Sequence, residues 1–133
     1  MIEYDCIGVE NMREKMNVVS ATITKEKELY LIVEKEIKIA DFKPLGQMLV
    51  DSDDVSFIYL LEKNEQYTYL VMKEELWNLL KDSLAEGLPV FLKNDAGQCE
   101  LPSFVDELEY LIENIKGNGN YGETMVTKVE ALF

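Results

Sequence analysis

Histidine is absent from the 133 residues, cysteine occurs twice, proline three times, and 13 basic side chains stand against 26 acidic ones. Without histidine there is no Ser-His or Cys-His nucleophile pair, no imidazole base and no nitrogen ligand of the kind zinc sites favour. Any catalysis would have to rest on carboxylates, Lys, Tyr or an unactivated Cys. Cys6 and Cys99 lie far apart, without Cys-x-x-Cys spacing or a cluster of bases to lower a thiol pKa. They read as packing residues of a reduced, cytoplasmic protein. The apolar runs, such as that from Val55 to Leu61, are far shorter than the roughly 20 residues that span a bilayer, and no basic start followed by an apolar run opens the chain. A membrane span is therefore not expected, and the net charge of −13 disfavours direct nucleic-acid binding.

What is present suffices for a core. Apolar residues make up 47% of the chain, well above the disordered class despite the charge. The charge is uneven: residues 1–45 carry 9 acids and 7 bases, leaving 17 acids and 6 bases for residues 46–133. No Gly/Ser/Pro-rich linker or internal repeat separates the two parts, so 1–133 reads as a single domain whose later part carries the negative field.

Val18 to Thr24 and Leu29 to Glu34 are rich in β-branched or aromatic residues and flank Lys25-Glu26-Lys27-Glu28, a hairpin pattern. Val55 to Glu62 has apolar residues on both faces, which marks a central strand, and Lys63-Asn64-Glu65 turns the chain into a further strand from Gln66 to Met72. From Lys73 the period becomes helical, with Leu76, Trp77, Leu79, Leu80 and Leu84 on one arc, and Gly87 with Pro89 stops it. A small hairpin turns at Asn94-Asp95-Ala96-Gly97. Ser103 is the expected N-cap of a helix that buries Phe104, Leu108, Leu111, Ile112 and Ile115 and ends at Gly117. Asn120 with Glu123 suggests a cap for a last helix.

Strands first and helices mostly afterwards predict an α+β domain, with a largely antiparallel sheet of about five to seven strands and about three helices, mostly in the C-terminal half. Residues 1–16 are harder to place. Ile2, Tyr4 and Cys6 suit an edge strand, and Glu10 to Met16 suits a turn of helix.

Gly46-Gln47-Met48-Leu49-Val50-Asp51-Ser52-Asp53, followed by Phe57 and Tyr59, resembles the YjbL-like family of small acidic proteins from Bacillus-type Firmicutes. The ending is closer still. Glu107-Leu108, the run from Tyr110 to Asn118, Asn120-Tyr121-Gly122-Glu123 and Val129-Glu130 resemble that family's ending almost throughout. The likeness runs from about Asn17 to Phe133 and makes residues 1–16 an extension. It implies a cytoplasmic bacterial protein and supplies no activity, cofactor or catalytic residue.

Two places hold chemistry. Asp51, Asp53 and Asp54 put three carboxylates within four residues after an apolar strand, a cluster suited to a divalent cation. An EF-hand is excluded by Val55 and Ser56 at loop positions 5 and 6. A phosphatase of the haloacid-dehalogenase type is excluded by the lack of a parallel α/β pattern, and a polar turn held by Asp and Ser side chains is the simpler account. The second place is the helix after Ser103, where Asp106, Glu109 and Glu113 stack into an acidic stripe beside Tyr110. Tyr121 joins them as a loop aromatic. Gly117-Asn118-Gly119 follows a helix rather than a strand and lacks a Lys-Ser/Thr, so it reads as a helix stop and not a phosphate loop. These features favour a non-enzymatic module that binds a cytosolic protein with a basic surface, with no cofactor expected. The alternative is a small carboxylate-based, metal-dependent hydrolase or ligand-binding domain at Asp51, Asp53 and Asp54.

Overall fold

A computed structural model of the protein describes residues 14–133. Among these, eight strands form two four-stranded sheets and three α-helices pack with them. The strands are β1 Glu14–Asn17, β2 Ser20–Ile23, β3 Leu29–Ile32, β4 Lys43–Asp51, β5 Ser56–Lys63, β6 Gln66–Lys73, β7 Val90–Asn94 and β8 Gly97–Glu100. The helices are α1 Trp77–Glu86, α2 Phe104–Ile115 and α3 Glu123–Leu132.

The architecture is α+β, as the pattern predicts, with two differences. The strands divide between two sheets, ordered β1-β6-β5-β4 and β2-β3-β7-β8, and both sheets are mixed. β1 runs parallel to β6 and β3 parallel to β7, while the other pairs are antiparallel. Alternation within a four-residue segment sets which side chains face the core. It carries no information on which free backbone edge the segment will join. For the same reason Glu14–Asn17 appears as a strand where the spacing suggests a helical turn. The suggested edge strand at Ile2, Tyr4 and Cys6 lies outside the described residues.

β5 is central, as its two apolar faces require. Phe57, Tyr59 and Leu61 enter the main core together with Leu29, Leu31, Val90 and Leu92 of the other sheet. Trp77 and Leu80 of α1, Phe104, Leu108 and Leu111 of α2, and Met125 and Val129 of α3 complete that core. Ile58 and Leu60 point the other way and form a second cluster with Leu49, Tyr69 and Val71. Burying a side chain of this size is worth about 1.5–3 kcal/mol, so both faces contribute to stability.

The helix ends obey backbone chemistry more than side-chain capping. Gly87, at φ 63°, ends α1 in the left-handed conformation and directs its N–H to the carbonyls of Ser83 and Leu84. Ser103 does precede α2, but it sits at φ 63° and its hydroxyl makes no capping bond. Gly122 rather than Asn120 precedes α3, while the Asn118 side chain accepts from the Asn120 N–H in the turn before it.

The β5–β6 turn consists of Asn64 and Glu65, at φ 53° and 63°, between the paired Lys63 and Gln66. Two positive φ values give the twist that a two-residue hairpin needs, and they suit Asn-Gly far better than Asn-Glu. Glu65→Gly is expected to raise stability by about 0.5–1 kcal/mol in urea unfolding, because relief of the strained Glu exceeds the added entropy of the unfolded chain.

Candidate functional site

The acidic helix is held in place by a tyrosine. Tyr59, fully buried in β5, donates its hydroxyl to the Pro102 carbonyl at 2.8 Å and accepts from the Gly46 N–H at 3.0 Å. Its ring stacks on Phe104, the first residue of α2, with centroids 5.7 Å apart. Gly46 lies at φ 70° where the β4–β5 register shifts between Pro44 and Met48, a bulge that turns its N–H toward the hydroxyl. Burial raises the Tyr59 pKa to about 12, because the ionised phenolate would lose its hydration there.

With its apolar arc fixed against the core, α2 turns Asp106, Glu109, Tyr110 and Glu113 outward, and all four are exposed. Tyr110 keeps 53% of its surface accessible. The ion pairs among the described residues are Lys27–Glu86, Lys73–Asp54 and Lys128–Glu74, so the carboxylates of this face are neutralised by none of them. Tyr121 belongs elsewhere. It is 3% exposed and lies in the main core, so the Gly119–Tyr121 turn points its aromatic inward. A loop rich in Gly and Asn suggests exposure, but the turn needed an apolar anchor between α2 and α3.

At the other place the three carboxylates separate. Asp51 is 5% exposed and accepts the Asp54 N–H at 3.1 Å through Oδ1, closing the polar turn that Asp-Ser chemistry predicts. Asp53 and Asp54 are exposed, and Asp54 lies 3.8 Å from the Lys73 ammonium. Among the described residues no three Cys, Asp or Glu side chains gather so as to hold a metal. Val55 completes the turn at φ 51°, which is rare for a β-branched residue. The Ser52 and Ser56 hydroxyls are shielded from solvent and find no hydrogen-bond partner among the described residues.

One concave feature was not visible in the sequence. A cleft of about 450 Å³ brings Glu14 and Lys15 of β1 together with Glu34, Glu36, Lys38, Asp41 and Lys63. Lys63 also lies over the Phe42 ring at 5.4 Å. These are four acids and three bases, so the cleft offers no single sign of charge to a ligand, and its residues are too dispersed along the chain to form a motif. Cys99 is half-buried, and burial pushes its thiol pKa up, away from the thiolate that reactivity needs.

Residues 16–133 match UPF0738, described as a family of unknown function. The chain belongs to the UPF0738 family. A UPF0738 protein of Bacillus licheniformis is 42% identical over 92% of this chain and 99% of its own length. The UPF0738 protein YjbL of Bacillus subtilis is also 42% identical, over the same shares. A relative from a Geobacillus species is 40% identical over 90% of this chain and 98% of its own. No solved structure matches. The family region takes in the acidic helix, the Asp51 turn and both partners of Tyr59, whereas Glu14 and Lys15 of the cleft precede it. Among the described residues no helix is long and apolar enough to cross a membrane.

The Tyr59 contacts lead to a two-part expectation. Tyr59→Phe leaves the Gly46 N–H and the Pro102 carbonyl without this partner and should cost about 1–3 kcal/mol at neutral pH. The native fold keeps the phenol protonated up to about pH 12, whereas the unfolded chain ionises near pH 10. Tyr59 thus contributes stability below pH 10 that is lost as pH rises toward 12, at up to about 1.4 kcal/mol per pH unit. Urea unfolding of both proteins across pH 8–12 should show this alkaline loss in excess only where Tyr59 is present.

Proposed function

We propose that the protein is a small cytoplasmic, non-enzymatic interaction module that binds a protein with a basic surface through the outward face of α2. The supporting observation is Tyr110, a large aromatic left 53% exposed on a helix face whose neighbouring carboxylates Asp106, Glu109 and Glu113 take part in none of the ion pairs among the described residues. Tyrosine is among the residues that anchor protein interfaces. Carboxylates one helical turn to either side add a field that steers a basic surface toward the ring and sets its orientation. The net charge of −13 strengthens that field and repels nucleic acid.

The reading is tested by capture from native cytosol with immobilised protein, alongside a variant carrying Asp106→Asn, Glu109→Gln and Tyr110→Ala. A partner should be retained by the native chain, released by raised salt and lost from the variant. With the partner purified, Tyr110→Ala alone should weaken binding by about 2 kcal/mol, roughly 30-fold. Equal retention by native and variant chains overturns the proposal.

A further inference from the structure

We propose that the turn between β4 and β5 holds a hydrated hard divalent cation, with Asp51 as its carboxylate ligand and the Ser52 and Ser56 hydroxyls as further oxygen donors to the ion or its waters. The argument combines two independent features. The first is acidity: Asp51, Asp53 and Asp54 place three carboxylates on one short turn, of which Asp54 lies 3.8 Å from the Lys73 ammonium. The second is an unmet polar requirement. Ser56 is fully buried and its hydroxyl has no partner among the described residues, and the Ser52 hydroxyl is likewise shielded and unpartnered among them. Ser56 is the direct cross-strand partner of Asp51, so the two side chains leave the sheet on the same face. A buried hydroxyl without a hydrogen bond costs about 1–3 kcal/mol, and an ion or its water is one of the few things that removes the cost.

The donor set specifies the ion class. It is all oxygen, with no imidazole and no thiolate, which suits Mg²⁺ or Ca²⁺ and not zinc. Only one carboxylate is buried, its Oδ1 is shared with the Asp54 N–H, and Asp54 itself turns to Lys73. The site is therefore not a carboxylate cage. It matches the way Mg²⁺ is often bound, through one or two carboxylates with its waters kept, and a site of such low ligand charge belongs to the weak, millimolar range.

The test is thermal unfolding of the full chain with Mg²⁺ or Ca²⁺ added at about 20 mM, each compared with NaCl at equal ionic strength. A native-state site of millimolar affinity should raise Tm by roughly 3 °C or more over the NaCl control. Asp51→Asn keeps an oxygen for the Asp54 N–H, and Ser56→Ala removes only the hydroxyl, so both should fold. Both should lose the shift, whereas Asp106→Asn with Glu109→Gln, which alters the acidic helix, should keep it. If Asp51→Asn does not fold, Ser56→Ala carries the comparison alone. No shift in the native chain, or an equal shift in Ser56→Ala, overturns the proposal, the latter by reducing the effect to general screening of the negative surface. Neither outcome bears on partner binding by α2, which the capture experiment tests separately.

Discussion

A single phenolic hydroxyl, buried at the centre of the first sheet, sets the geometry on which the outer surface depends. The Tyr59 O–H both donates and accepts, tying the β4 bulge at Gly46 to the Pro102 carbonyl just before α2. Each of these backbone groups would be costly to bury alone. One side chain therefore satisfies two irregular backbone sites and fixes the helix start against the sheet. The outward face of α2 inherits its orientation from this contact, because a rotation that moved Phe104 off the Tyr59 ring would also break the bond to Pro102.

Asn94 plays a comparable part in the second sheet. Its amide donates to the carbonyls of Glu34 and Ile37, and its oxygen accepts from the Ala96 and Gly97 N–H groups. The β7–β8 turn is thereby fastened to the segment that leaves β3. Between the sheets, Phe57 lies 4.9 Å from Trp77, and Phe133 packs against both rings, so the end of the chain closes over the centre of the core. Polar side chains thus define the irregular segments and aromatic ones fill the space between the layers.

Much of this was legible in the sequence wherever the signal was local. The β2–β3 and β5–β6 hairpins, the central place of β5, the arcs of α1 and α2, the stop at Gly87 and the exposure of Tyr110 all follow from periodicity and turn chemistry. The parallel pairings of β1 with β6 and β3 with β7 did not, because strand partnership is decided by which edges remain free after the layers pack. The burial of Tyr121 was not legible for a related reason. Its neighbours are glycine and asparagine, and only the packing of α3 beside α2 reveals that this turn must bury an aromatic. The Asp51 turn was legible as a polar turn held by Asp and Ser chemistry. The orphaned Ser56 hydroxyl was not, since burial of a short polar side chain leaves no trace in its spacing.

The parallel pairing of β3 with β7 also bears on how the chain acquires its structure during synthesis. The bonds from Asn94 back to the β3 exit bridge about sixty residues, an interval that contains the whole β4–β5–β6 meander and α1. Contacts of such long sequence separation form late, after closer pairings have reduced the loop to be closed. On the ribosome the meander can assemble from its own tight turns while β2 and β3 still wait with an unpaired edge. In chain order β3 precedes the strand it pairs with by the whole β4–β5–β6 meander and α1, so the edge it offers to β7 has no partner until that later segment is made.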